Sequence, residues 1–533
     1  MSAAFDYVVV GAGSSGCVVA SRLSRSGSVL VLEAGGSDTA AAVQELIADP
    51  RQALRAVADP RISCPYAVEP QAGLGGRPAW IHRGLVRGGC SAINGMIYVR
   101  GNRRDYDGWA ALGNEGWGYA DLLPVFMRSE RFAGGASRYH GGDGPLDVRP
   151  VPDPTPVAQA FVQAAAETGF RDSDARWDFN GARQEDAAGL YQATVTPDGR
   201  RASAATAFLT PATWASALTV KTGARARRVL FEGQRAVGVE CLEEGAPRAY
   251  RAEREVILAA GTFETPKLLL LSGVGPAAHL SAVGVTPLVD LPGVGQNLHD
   301  HLMIPIYHLA KGHPGHSAFI AEAGLFTRTR RSPDDLGPDL QYHALGAMPW
   351  FGVDPAETPN FVLCPALIKP ESRGTLRLAS DRPEDPPVID PAYLREESDV
   401  TVLARGVELA RELVAAPALR AFSLGASPFA VPNPLDLTAW LGIPARGAPL
   451  RAFIRAAAAT VWHPVGTCRM GRDPLAVVDP ALRVHGVEGL RVADASVMPV
   501  IVSGNTNAAC IMIGERCAEL VSGTPAAAPG RSV

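Results

Sequence analysis

Gly11-Ala12-Gly13-Ser14-Ser15-Gly16 has the G-x-G-x-x-G spacing of a turn that binds a pyrophosphate. Gly11 permits the tight reversal, Gly13 lets the backbone approach the phosphates, and Gly16 lets helix and strand pack closely. Ser14 and Ser15 open the following helix, whose free N–H groups and partial positive charge favour an anion. Glu33, followed by Ala34, stands where a carboxylate can hydrogen-bond the hydroxyls of an adenosine ribose. Glycine-rich turns are common, so the specificity comes from the frame around the loop. Phe5 to Val10 is an apolar, β-branched run of the buried parallel-strand type. Cys17 to Arg25 mixes small and apolar residues at helical spacing, and Val29 to Leu32 is a second strand ending at Glu33.

The chain that carries this loop has 533 residues, enough for a large core and two intertwined domains. Its content of 47% apolar and 20% charged residues is that of a soluble globular protein. A net charge of −4 gives no reason to expect nucleic acid or an anionic membrane surface as partner. No run of eighteen apolar residues and no signal-peptide pattern is present, so the expectation is a cytoplasmic protein without an integral membrane segment. The eight cysteines are scattered without a C-x-x-C pair, which suggests neither zinc nor a disulfide framework.

Beyond the first βαβ unit, residues 60–150 are punctuated by Gly and Pro and read either as an extended nucleotide-contacting loop or as irregular surface. Thr155 to Gly169 predicts an amphipathic helix. Strand-like runs follow at 218–222, 229–231, 236–241 and 255–261, and Thr265-Pro266 is read as a helix start with Pro in the first turn. Strands alternating with helices imply an α/β class with a parallel sheet. Residues 311–461 read as Pro-rich and less regular. The Arg225, Arg227 and Arg228 run reads as a solvated strand edge, with a contact to the adenine side as the alternative.

Four further segments are more specific. Arg83 to Met96 (RGLVRGGCSAINGM) resembles the first signature of the glucose–methanol–choline (GMC) flavoprotein oxidoreductases, and Gly261 to Gly275 resembles the second. His463-Pro464-Val465-Gly466-Thr467 is similar to the family's catalytic-histidine motif, and Val492 to Pro499 with Gly504 to Asn507 to its C-terminal flavin motif. The resemblance, nearest to choline-dehydrogenase-like and alcohol-dehydrogenase-like bacterial members, runs in order from residue 5 to about 520. It implies a Rossmann-type FAD-binding domain over 1–150, 188–310 and 462–533, and a discontinuous α+β substrate-binding domain over 151–187 and 311–461. Besides the dinucleotide loop, the cofactor residues it implies are Gly88, Gly89, Asn94, Gly95, Met96, Ala226, Ala260, Gly261, Asp494, Ala495, Asn505 and Thr506. The sequence departs from the first signature at Leu85, usually basic, and at Arg87, usually apolar. At position 93, where some members carry a histidine bonded to the flavin, this chain has Ile, which implies non-covalent FAD.

The chemistry implied is oxidation of an alcohol to an aldehyde or ketone by hydride transfer to the flavin. An alkoxide is the better hydride donor, and a histidine titrating near neutrality suits removal of the hydroxyl proton. The resemblance gives this role to His463, with Asn507, where many relatives have a second histidine, hydrogen-bonding the alcohol oxygen. Glu322 and His343 fall where choline-oxidising members place substrate-pocket residues. The family includes oxidases and dehydrogenases, so dioxygen and another electron acceptor both stand as the second substrate, and the oligomeric state is left open. Two alternatives share the scaffold: a lyase of the hydroxynitrile type, and a catalytically silent flavin-binding protein. His299, Asp300 and His301, with His313 and His316, have no standard metal-ligand spacing, so no metal is expected.

Overall fold

The computed structural model describes residues 4–36, 38, 40–209, 216–315, 317–329, 337–347, 359–424, 429–430, 440–441 and 446–523. The apolar run expected at Phe5 to Val10 forms the strand Ala4–Val10 at the heart of a seven-stranded sheet. It pairs in parallel with Val29–Leu32 on one side and with Ala246–Leu258 on the other. Leu218–Lys221 extends the sheet beyond Val29–Leu32, and Leu490–Val492 adds to Ala246–Leu258, both in parallel. The expectation of a parallel sheet holds only for this half. Ala224–Glu232, Arg235–Glu243 and the first part of Ala246–Leu258 form an antiparallel meander, whose short connections leave no room for a crossover helix.

The helix Ser14–Leu23 follows the glycine loop directly, with Gly13 as its N-cap. A Cβ on Gly16 would lie 2.0 Å from Gly11 O, so this position is glycine because helix and strand touch. The second glycine-signature helix begins at Gly261, four residues earlier than expected, and Pro266 lies inside it. Proline removes one N–H, which frees the carbonyl of Thr262. Thr467 Oγ1 donates to that carbonyl at 2.6 Å, so the proline ties this helix to the His463 segment.

Residues 60–150, expected to be irregular, instead contain the helices Arg103–Ala111 and Tyr119–Ser129. Tyr106, Trp109, Trp117 and Phe126 bury an aromatic cluster between them and their surroundings. The stretch 311–461 is also more regular than its composition implied. It supplies Ala323–Thr327, Leu340–Leu345 and Asn360–Leu367 to an antiparallel nine-stranded sheet, and the 19-residue helix Glu397–Ala415.

Ala187–Leu190, Leu302–Met303, Ile306–Leu309 and Ala459–Thr460 belong to this second sheet as well. The expected boundaries at 187/188 and 310/311 therefore cut through a sheet, because strand pairing between distant segments leaves no mark at the sequence boundary. Along Leu340–Leu345, Tyr342 packs on Phe161 of the helix Pro156–Glu167 and donates to the Gly406 carbonyl. The alternation of a strand then turns His343 and Leu345 to the opposite face. That face is the roof of the site.

Candidate active site

Two cavities meet beneath this roof. The first is lined by Gly11, Gly13, Ser14, Ser15, Glu33 and Ala34 from the dinucleotide unit, with Gly89, Ala226, Ala260, Gly261, Asp494 and Ala495. The second, about 210 Å³, is lined by Asn94, Gly95, Met96, His343, His463, Asn505, Thr506 and Asn507 among others. Ser14, Arg83, Cys90, Ala495 and Cys510 line both, so the two cavities share a wall and lie side by side between Glu33 and His463.

The first cavity has the form of a dinucleotide cradle. A Cβ on Gly11 would lie 2.5 Å from Ala259 O, whereas one on Gly13 would meet nothing nearer than 3.9 Å, so Gly13 presents bare backbone to the cavity. Glu33 is buried at the end of its strand, and its two carboxylate oxygens accept from Ala12 N and Gly35 N, each at 2.8 Å. Each oxygen keeps a lone pair for a ribose hydroxyl. Gly88 does not line the cavity; its N–H donates to Ala12 O at 2.7 Å and closes the signature loop onto the dinucleotide loop. Asp494 accepts from Gly261 N, Thr265 Oγ1, Ser496 N and Ser496 Oγ, so its carboxylate caps the Gly261 helix and is fully occupied. Arg87 pairs with Asp38, while Leu85 lines the cavity. Of the arginine run, Arg225 lines the cavity, and Arg227 and Arg228 pair with Glu384 and Glu240.

His463 is fixed from three directions. Its backbone N–H donates to Asp300 Oδ1 at 2.7 Å, and Asp300 Oδ2 in turn accepts from Tyr393 Oη and Thr460 Oγ1. Its Nδ1 lies 3.1 Å from Nδ1 of His301, and its Nε2 lies 3.4 Å from Nδ2 of Asn505. An amide nitrogen only donates, so Nε2 of His463 carries the lone pair and Nδ1 the proton, which it donates to His301. Burial pushes the pKa of His463 down to about 3, with His343 and Arg83 adding to the effect. The imidazole is therefore neutral at pH 7, and the expected titration near neutrality is corrected.

His343 is a second lone pair on the same cavity. Tyr191 Oη donates to Tyr342 O and lies 3.1 Å from Nδ1 of His343, which leaves the imidazole to donate there. Its Nε2 is buried with no hydrogen-bond partner among the described residues, and burial lowers its pKa to about 4. Asn507 Oδ1 accepts from Ser14 Oγ at 2.7 Å, which leaves its amide nitrogen as the free donor at the cavity wall. Asn505, expected only as a cofactor residue, is the asparagine nearer to His463.

Glu322 is a correction. Its carboxylate accepts from Thr155 N and Thr155 Oγ1 at the start of the helix Pro156–Glu167, and it does not line the cavity. A buried carboxylate takes the nearest N–H donors, and here Thr155 supplies them. Residue spacing did not disclose Arg83 or His301 as site residues. Arg83 stood at the head of the first signature, but His301 reaches His463 across 162 residues, and no local signal marks that pairing.

His299, Asp300 and His301 do not converge. His299 is held by Asn297 O and Ile501 N, while Asp300 and His301 serve His463. Among the described residues, no group of three or more His, Cys, Asp or Glu is placed to hold a metal. His316 lies outside the described residues.

A dinucleotide cradle beside a histidine-walled cavity under an antiparallel roof is the arrangement of a dinucleotide-dependent oxidoreductase. The chain belongs to the GMC oxidoreductase family, whose models match residues 5–303 and 370–514. It is 39% identical to the mitochondrial choline dehydrogenase of Homo sapiens, over 98% of this chain and 90% of that protein. It is 38% identical to the oxygen-dependent choline dehydrogenase of Sinorhizobium medicae, over 97% and 95%. Among solved structures, pyridoxine 4-oxidase from Mesorbium loti superposes with a TM-score of 0.85 at 31% identity, covering 96% of this chain and 98% of that one. FAD is the cofactor, and the cradle fits it. Ile93 lines the second cavity with an alkyl side chain that cannot bond to the flavin, so attachment is non-covalent.

Proposed function

We propose that the protein oxidises an alcohol to a carbonyl compound, with His463 as general base. The observation that carries this reading is the lone pair of His463 on a cavity that shares a wall with the dinucleotide cradle. The FAD-dependent relatives named for choline and pyridoxine oxidation support it.

When bound, FAD would supply the hydride acceptor, with dioxygen or another electron acceptor as the second substrate. The chain's own residues do the rest. The alcohol hydroxyl donates to Nε2 of His463, and the proton passes to that nitrogen as the carbinol hydrogen leaves as hydride. His463 is held low by burial, so the developing imidazolium needs a nearby negative charge, which the alkoxide itself provides. The free amide nitrogen of Asn507 and that of Asn505 stabilise the charge on oxygen by donating to it. His301 holds the proton of His463 on Nδ1 and so keeps the lone pair on Nε2, where the substrate hydroxyl replaces Asn505 Nδ2 as donor. No helix among the described residues is long and apolar enough to cross a membrane.

Anaerobic addition of a panel of primary alcohols to the yellow holoprotein tests the reading. Bleaching of the flavin band is expected. Carbonyl product without bleaching would point to a lyase, and neither would point to a silent flavoprotein. Heat or acid should release FAD intact, and flavin left on the denatured chain would contradict non-covalent binding.

A further inference from the structure

Resting on the alcohol-oxidising reading, we infer that the substrate cavity takes an uncharged, largely apolar alcohol and excludes a quaternary ammonium alcohol. Choline, the substrate named for several relatives, carries a permanent positive charge two carbons from its hydroxyl. A site that binds it must offset the lost hydration of that charge with a carboxylate or with a cage of aromatic faces.

This cavity offers the opposite. Arg83 lines it, and its guanidinium donates to the backbone carbonyl of Trp462 at 2.9 Å, one residue from His463. Among the described residues no carboxylate lies within ion-pair distance of Arg83, and none lines the cavity. The one carboxylate expected there, Glu322, is turned to Thr155. Burial lowers the three histidines of the lining, His463, His343 and His82, and so favours their neutral forms at pH 7. Arg83 therefore brings the one fixed side-chain charge among the described lining residues of this cavity. That charge favours a developing alkoxide and opposes a cation bound at the other end of a short substrate.

The walls agree with the charge. Ile93, Ile97, Met303, Ile320 and Leu345 present alkyl or thioether surface, and Trp462 is the only Phe, Tyr or Trp side chain among the described lining residues. One indole is not a cage. A branched or linear alkyl tail would bury against these side chains and lose no charge hydration.

The isosteric pair choline and 3,3-dimethylbutan-1-ol tests this directly, because the two differ only in a nitrogen-for-carbon exchange and its charge. Holoprotein is mixed anaerobically with each, and the bleaching rate is followed against concentration. The neutral alcohol should give a second-order reduction constant at least roughly tenfold above that of choline, as expected for like charges within one cavity. Tetramethylammonium chloride should not compete with the neutral alcohol beyond its ionic-strength effect, which sodium chloride reports. In Arg83→Gln, measured in whatever fraction retains FAD, the ratio between the two alcohols should shrink. Equal or faster bleaching by choline, or competitive inhibition by tetramethylammonium, overturns the inference and leaves alcohol oxidation standing. No bleaching by either compound or by any alcohol of the panel overturns both.

Discussion

Two histidines, His140 and His463, are enclosed by this protein and end on opposite sides of neutrality. Burial alone would lower His140, but its hydrogen bonds to Asp178 and Glu130 outweigh that and raise it to about 9. Its ring also stacks on Phe132, with centroids 3.9 Å apart. His463 meets a carboxylate only through its backbone N–H, to Asp300, and its ring nitrogens face a histidine and an amide. Burial then acts unopposed and lowers it to about 3. At neutral pH the same side chain is a cation in one region and a neutral lone pair in the other. What decides is whether a carboxylate reaches the ring or the backbone.

The sharpest way to break this contrast is to remove the lone pair. His463→Ala should lower the rate of flavin reduction by about 10²–10⁴ while FAD stays bound. An unchanged rate in stopped flow would move the base to His343, whose Nε2 is the next open lone pair.

On the other side of the comparison, Glu130→Gln removes the carboxylate shared by His140 and by Arg100, which pairs with it at 2.8 Å with both side chains almost wholly buried. Leaving two cations without it should cost about 3–5 kcal/mol in denaturant unfolding. A loss below 1 kcal/mol would show that this cluster contributes little.

Acidity separates the two histidines without mutation. His140 has its folded pKa raised above the unfolded value, so its contribution to stability is complete below about 6.5 and disappears as pH rises through about 9. The stability difference between wild type and His140→Gln should narrow over that window. His463 has its folded pKa lowered, so it costs stability as pH falls from about 6.5 toward about 3. The limiting rate of flavin reduction should accordingly be flat from about pH 5.5 to 8. An inflection near pH 6.5 would mean that His463 is not held low when substrate is present.

The smallest effect sharpens the geometry. Asn507→Ala should cost about 1–3 kcal/mol in transition-state stabilisation, as for a polar group left unpaired. Combined with His463→Ala the losses should not add, since both act on one oxygen. Full additivity in the double mutant would place Asn507 elsewhere.

The features legible in the sequence were local ones. The glycine loop, its two strands and Glu33 lie within thirty residues, and the structure keeps them in register. The helix expected at Thr155 to Gly169 is there because its Thr cap and its apolar spacing are both short-range. The signatures also placed Asn94, Gly95, Met96 and Asn505 to Asn507 on one cavity. The unread features depend on which distant side chain arrives first. Glu322 is captured by Thr155, 167 positions away, and His463 is set by Asp300 and His301, more than 160 positions upstream. A pKa belongs to that company of neighbours and not to the residue. The regularity of residues 311–461 was hidden because both faces of its strands are buried, which erases the alternation that marks a half-exposed strand.

The helix Ser14–Leu23 lies against the helix Asn507–Ser522, joined by Arg22 to Glu515 and by Ser15 Oγ to the Cys510 carbonyl. On the ribosome this arrangement imposes a long wait. The phosphate-binding turn is among the first parts of the chain to be made, but the helix that closes its flank is completed nearly five hundred residues later. At about 5–20 residues per second the interval is tens of seconds, during which an apolar helix face stays uncovered. The phosphate-binding turn therefore cannot gain this flank before the last helix is made, and truncation ahead of residue 507 is expected to weaken flavin retention as well as catalysis.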